Sequence, residues 1–236
     1  PPDLSEEQAD READAWYWRA FYDSEQQLSA ERKRAKLRAK DFAESAVAKN
    51  PPVKQGLTYF FFVGEDGYYK PKTSFFYNAA LMAQAAIEAH PGFRKGLDQV
   101  VVVETFSVPA LETELKKYKN IEALVYFGHS NYDALYLGAS SAPGTNLSER
   151  GGVIMGGLAP ASPLYAIPRP AVTPTAKTVL YGCHTTCDVY TLISGRRTIA
   201  RSIADYFNTP VTGSTLSATY PGGFPYFKTI ETKYPK

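Results

Sequence analysis

The pattern of polar and apolar positions changes near residue 50. Positions 3–49 contain neither Gly nor Pro and are dominated by Ala, Glu, Arg and Lys, which predicts one long helix or a helical hairpin. Within that stretch Trp16, Tyr17, Ala20 and Phe21 form a single apolar patch at i, i+4 spacing, whereas 29–41 is nearly all polar. The patch is expected to pack on the rest of the protein, and Asn50-Pro51-Pro52 to end the extension.

From residue 53 onward, short apolar runs alternate with amphipathic segments. Runs at 57–63 (LTYFFFV), 100–106 (VVVVETF), 121–127 (IEALVYF), 178–181 and 210–212 predict strands. Segments 75–89, 109–118 and 196–207 predict helices, the last with Ile199, Ile203 and Phe207 on one face. Near-continuous apolar strands separated by helices predict an α/β fold with a mainly parallel sheet of about five or six strands and helices on both faces. The expected organisation is a helical extension over 1–50 and one domain over 53–236. The stretch 128–177, rich in Gly, Ser, Ala and Pro, is too long for a plain crossover. It reads as a hairpin, with an apolar run at 134–137, followed by exposed loops around a second run at 153–155. Both lie where the carboxyl ends of strands build ligand sites.

Composition narrows the classes. A hydrophobic share of 44% and a charged share of 21% are those of a soluble globular protein. No run approaches the roughly 18 apolar residues that span a bilayer, so no membrane partner is expected. A net charge of +2 leaves no electrostatic footprint for nucleic acid. The basic cluster Arg32, Lys33, Arg34, Lys36, Arg38 and Lys40 is offset by Glu6, Glu7, Asp10, Glu12 and Asp14, and reads as a solvated helix face. The two cysteines, Cys183 and Cys187, make no disulfide framework and fit a reducing compartment. A chain that opens on Pro1-Pro2, with no initiator Met or secretion signal, reads as a fragment or a processed product. There is no G-x-S-x-G elbow, Walker loop or dinucleotide fingerprint, and no cofactor is implied. Gly151-Gly152 and Gly156-Gly157 lack the strand-turn-helix setting of a phosphate cradle and read as flexible loop.

Two strand ends carry the chemistry. The third strand runs into Gly128-His129-Ser130-Asn131, and the fourth into Gly182-Cys183-His184-Thr185-Thr186. In a parallel sheet both ends fall on one edge, and if the strands are neighbours His129 and Cys183 converge. A cysteine thiol, ordinarily of pKa about 8.5, becomes a nucleophile at neutral pH beside an imidazole, which then serves as acid to the leaving amine. The backbone N–H groups of Ser130 and Cys183 are candidate oxyanion donors, and Gly128 and Gly182 are expected to supply the backbone freedom such turns need.

These elements resemble the caspase-like superfamily of cysteine peptidases, which includes caspases, metacaspases, gingipains, separases and the autoprocessing domains of large bacterial toxins. LVYFGHS, ending at Ser130, matches the strand that carries the catalytic His, and TVLYGCHTT, ending at Thr186, matches the next strand with its Cys. The resemblance covers about residues 57–215. It implies a caspase-like sheet, catalysis by Cys183 and His129, and a protein or peptide substrate. It also suggests a module of a larger bacterial toxin or effector, cleaving its own parent chain or a target protein. Ser130 stands where the family usually has Gly, and Tyr181 stands where metacaspases carry the acidic residue that binds a basic P1 side chain. An uncharged P1 residue is therefore expected, in a pocket formed around Tyr181 and the 131–176 loops, Asn131 among them, with Asp133 and Asp188 as the acidic groups that would reverse that preference.

Plainer readings compete. A cysteine at the end of a buried strand can be an inert small hydrophobe, and His129 a turn residue, in a catalytically inactive protein-binding domain. Cys183, His184 and Cys187 form a sparse candidate zinc set. Cys187 reads as a cap of the following loop, and His90 as a helix-end residue at the negative end of the dipole.

Overall fold

The computed structural model describes residues 6–49, 51, 54–64, 72, 74–138, 146–148, 153–154, 157–158, 162–164, 167–187, 197–227 and 229–236; side chains of 6–24, 146–148, 153–154, 157–158 and 162–163 lie outside the described set. Its centre is a six-stranded sheet built from β1 (Thr58–Val63), β2 (Gln99–Glu104), β3 (Ile121–Phe127), β9 (Val172–Tyr181), β10 (Val211–Ser214) and β13 (Ile230–Lys233), in the order β13-β10-β9-β3-β1-β2. The first five in chain order run parallel, and β13 pairs antiparallel with β10 at one edge.

The strand sequences account for this. Every residue of β1 is buried, with Tyr59, Phe61 and Val63 facing one apolar cluster and Phe60 and Phe62 the other. β3 splits likewise, sending Val125 and Phe127 to the first face and Leu124 and Tyr126 to the second. A strand with no polar face needs cover on both sides, which parallel pairing through crossover helices provides. α2 (Phe75–Glu88) lies over the first face, capped by Ser74, whose hydroxyl accepts from the Tyr77 amide, and it buries Phe76, Ala79, Ala80, Ala83 and Ile87. α3 (Val108–Leu115) and α4 (Ile199–Phe207) lie over the second. α4 buries the expected Ile199, Ile203 and Phe207 and stops at Asn208, whose φ of +55° makes a left-handed cap.

The N-terminal segment is one helix, α1 (Glu6–Ala46), of 41 residues. The Trp16, Tyr17 and Phe21 side chains lie outside the described residues, and the packing that is described comes from Ala35, Ala39, Phe42, Ala43 and Ala46, which join the first-face core. Alanines carry a weak hydrophobic signal, so 29–41 reads as polar, yet their small size lets the helix sit close against its neighbours. The first-face core therefore includes α1 residues from before position 50.

Short strands complete the chain: β4 (Ala134–Tyr136), β5 (Asn146–Ser148) and β8 (Ser162–Pro163) form a small sheet, with β6 (Val153–Ile154) paired to β7 (Gly157–Leu158) and β11 (Ala218–Thr219) to β12 (Tyr226–Phe227). Among the described residues no helix is long and apolar enough to cross a membrane.

One buried ion pair ties the α2–β2 connection to β1. Asp98, whose side chain is fully buried, accepts from the Leu57 amide at 2.9 Å, the Arg94 amide at 2.9 Å and the Arg94 guanidinium at 2.6 Å. Burial alone would raise this carboxyl, but the hydrogen bonds from Arg94 and Leu57 outweigh it and hold it below its ordinary pKa. A depressed folded-state pKa contributes stability above the unfolded value, about 3.9, and that stability is lost as pH falls through the lower folded value. We expect Asp98→Asn to lose about 3 kcal/mol at pH 7 in denaturant titrations, with the gap to wild type narrowing below about pH 4.

Candidate active site

The site follows from the register of two central strands. β3 and β9 pair in parallel through Tyr126 with Leu180 and Phe127 with Tyr181, and the ladder continues with the Gly128 amide donating to the Tyr181 carbonyl at 3.3 Å. Next come Gly128 and Gly182, then His129 and Cys183, so both residues leave the carboxyl edge of neighbouring strands. Phe127 and Tyr181, two positions back, stack on the first face with centroids 5.1 Å apart. With side chains alternating along a strand, the two residues two positions on start from that same face.

Both turns are pinned. The His129 carbonyl accepts from the Tyr126 hydroxyl at 2.6 Å and the Tyr136 amide at 2.9 Å, and its exposed ring meets Phe76 edge-on at 4.9 Å. The Tyr126 phenol is buried on the second face; burial, offset only in part by its bond to the Tyr136 backbone, pushes it well above its usual range, so it stays a neutral donor. Past Cys183, His184 adopts φ +56° and donates its amide to the Leu216 carbonyl at 2.8 Å. The Thr185 hydroxyl accepts from the Ser214 amide at 3.1 Å. The N-terminus of α4 then gathers both turns, for the Ile199 amide donates to the Tyr132 carbonyl at 2.6 Å and the Ala200 amide to the Thr185 carbonyl at 3.1 Å. Amides that a helix start leaves unpaired are satisfied by one carbonyl from each turn.

The thiol of Cys183 is partly exposed and lies 3.9 Å from the Ala218 carbonyl. The Ser130 hydroxyl, buried beneath it, donates to the Cys183 carbonyl at 2.8 Å and so joins the two turns directly. Among the described residues neither the Ser130 nor the Cys183 amide donates a backbone hydrogen bond.

Several sequence expectations change here. Ser130 is not at positive φ, so its side chain carries no backbone penalty. Gly128 and Gly182 are not at positive φ either, and their role is space. A Cβ on Gly128 would lie 2.3 Å from the Tyr126 hydroxyl oxygen, and one on Gly182 would lie 2.1 Å from Ser130 Oγ. Tyr181 does not line a pocket beside the thiol. Its ring is 7% exposed and sandwiched between Phe127 and Phe227, in the core under α1. Asn131 shapes its own turn, its side-chain oxygen accepting from the Asp133 and Ala134 amides at 3.1 and 2.9 Å, and Asp133 is buried within that turn. Asp188 lies outside the described residues.

Among the described residues no three His, Cys, Asp or Glu side chains gather as a metal set. Cys187 closes the turn, its amide donating to the His184 carbonyl at 3.2 Å. His90 follows the end of α2, where Nδ1 accepts from the Gly92 amide at 3.0 Å and Nε2 faces Glu44 of α1 at 2.9 Å. Sequence reasoning missed Phe76 and Tyr220. The first reads as plain helix core, and the second lies past the last strand that apolar runs reveal; its only signal is the turn-forming Pro221-Gly222-Gly223 that follows.

No protein-family model matches this chain, and neither the curated proteins nor the solved structures contain a match to it.

The contact between Ser130 and Gly182 is directly testable. Ser130→Ala should cost about 1 kcal/mol in unfolding free energy through the lost hydrogen bond, and Gly182→Ala about 2 kcal/mol or more through overpacking. Because Ser130→Gly removes the atoms that the new methyl strikes, the Gly182→Ala, Ser130→Gly double variant should be more stable than the sum of its parts, read by a denaturant double-mutant cycle.

Proposed function

We propose that the chain is a caspase-like cysteine peptidase, with Cys183 as nucleophile and His129 as general base. The observation that carries this reading is the in-register departure of the two residues from the carboxyl ends of neighbouring parallel strands. The sheet supports it further, since the His follows one strand, a β-hairpin begins directly after it, and the Cys follows the adjacent strand, as in the family that the motifs resemble.

In this reading the Cys183 thiolate attacks the scissile carbonyl carbon, and the oxyanion that forms is held by the Ser130 and Cys183 amides. His129, protonated on taking the thiol proton, returns it to the leaving amine as the C–N bond breaks, leaving a thioester on Cys183. A water deprotonated by His129 then attacks the thioester, releasing the carboxylic acid and restoring the thiol. The imidazole approaches the sulfur through rotation about its own side-chain bonds, within the looseness that resting sites of this kind show. With Tyr181 in the core, the preference for an uncharged P1 residue rests on the Ala218 backbone beside the thiol, the Leu216 carbonyl on the His184 amide, and the Phe76 ring against His129. The substrate is a peptide segment of the parent chain or of a target protein, in keeping with a toxin or effector module.

The thiol's contact with the Ala218 carbonyl favours a second reading, because it gives the S–H a partner that needs no base. The domain would then bind a protein and catalyse nothing. Peptide-library cleavage separates the two. Cys183→Ala and His129→Ala should each lower kcat/KM by about 10³-fold or more, and Cys187→Ala should stay within about twofold of wild type. Iodoacetamide at neutral pH should label Cys183 much faster than Cys187. No cleavage of any peptide by the reduced protein, together with equal slow labelling of both thiols, would establish the binding module.

A further inference from the structure

The turn between β11 and β12 is fastened at one end to α1 and at the other to the candidate site. On the α1 side, the Arg38 guanidinium donates to the Pro221 carbonyl at 2.6 Å and the Phe224 carbonyl at 3.2 Å. Gly222, at φ +68°, lies so close to the helix that a Cβ there would come within 2.3 Å of the Glu31 carbonyl oxygen. Such a fit accepts no other residue without movement. On the site side, Ala218 presents its carbonyl to Cys183 Sγ, and two residues on, the Tyr220 hydroxyl donates to the Tyr181 carbonyl at 2.6 Å.

That carbonyl is where the ladder between β3 and β9 ends, because it also accepts the Gly128 amide. Tyr220 therefore bonds the junction from which both catalytic turns depart, one residue before Gly128-His129 on one strand and before Gly182-Cys183 on the other. Its ring meets Phe76 at 5.2 Å and Phe75 at 5.3 Å, and Phe76 is the ring against which His129 rests. Burial, followed by the charges of Tyr126, Cys183 and Tyr181, pushes the phenol well above its usual range, so it remains a neutral donor throughout the working pH range of a thiol enzyme. Nothing in the chemistry of thiol attack consumes this hydroxyl, and its bond is to backbone.

Resting on the peptidase reading above, we infer that Tyr220 is a positioning residue for the Cys183–His129 pair, its phenol locking the shared strand end and its ring setting the wall against which the imidazole packs. The α1 contacts hold it in place. Loss of the hydroxyl should loosen the pair without emptying the core, since the ring remains.

The test is the pH profile of Cys183 alkylation by iodoacetamide in the full chain, with Cys187→Ala as background, because it reads the coupling of thiol to imidazole without needing a substrate. Titratable groups that face this region are His129, His184, Tyr126, Tyr181 and Tyr220; burial pushes the three phenols up out of the range scanned, which leaves the two imidazoles, and His184→Ala run beside His129→Ala separates their contributions. His129→Ala should move the profile toward that of a free thiol, whose pKa is about 8.5. Tyr220→Phe should move it the same way by about one pH unit, which is about a tenfold loss of alkylation rate at pH 6.5. Tyr220→Leu, which also removes the ring, should move it at least as far. A Tyr220→Phe profile that overlays the background while His129→Ala shifts would overturn the positioning role and leave the dyad standing. Loss of rate in Tyr220→Leu alone would reduce Tyr220 to packing and overturn the role of its phenol. A His129→Ala profile identical to the background would instead refute the dyad, and this inference with it.

Discussion

The parallel, in-register pairing of β3 with β9 is the constraint on which the rest depends. Parallel neighbours deliver their carboxyl ends to the same edge, so His129 after one and Cys183 after the other leave that edge side by side. The aromatic pair Phe127 and Tyr181 secures that register, because slipping either strand by one residue would turn its ring, and the residue two positions on, to the opposite face and break the stack. After Phe127 the chain leaves this edge, and it re-enters the sheet at Val172, paired with Ile121 at the amino edge, as a parallel crossover requires.

Backbone hydrogen bonds then convert two flexible turns into a defined pair. Carbonyls from both turns satisfy the start of α4, the Ser130 hydroxyl bonds across to the Cys183 carbonyl, and the Tyr126 phenol fixes the backbone of His129 from beneath. Each is a modest interaction of about 1 kcal/mol. Together they settle positions that the loops alone would leave open, and they do so through partners spread over four elements and their connections. The small side chains at this junction have the same origin: with Ser130 packed under Cys183 and the Tyr126 hydroxyl beside Gly128, positions 128 and 182 have no room for a Cβ.

The α1 helix extends this logic to the first face. Its alanines admit close packing, and Arg38 reaches carbonyls 183 and 186 residues away in sequence to hold the turn that carries Tyr220. A large groove of about 1040 Å³ lies alongside, walled by Phe42 of α1 and by Tyr181, Phe227 and Tyr234, so the helix covers this side of the sheet only in part.

What the sequence determined by itself was whatever local pattern controls. The apolar run of β3 stands at residues 121–127 as its pattern indicates, α4 buries its Ile199, Ile203 and Phe207 stripe, and the Gly-His-Ser and Gly-Cys-His turns fall at strand ends because apolar runs stop there. Only the tertiary structure decided the rest, because it depends on partners distant in the chain. Tyr181 looks like a pocket residue beside a cysteine, yet rings from α1 and β12 enclose it in the core. The strand β13 carries too weak an apolar signal to be read, since as an antiparallel edge it needs only one neighbour. The alanines of α1 become core only once a sheet face and a glycine turn are brought against them, and Tyr220 becomes part of the site only because that turn folds back over the ends of β3 and β9.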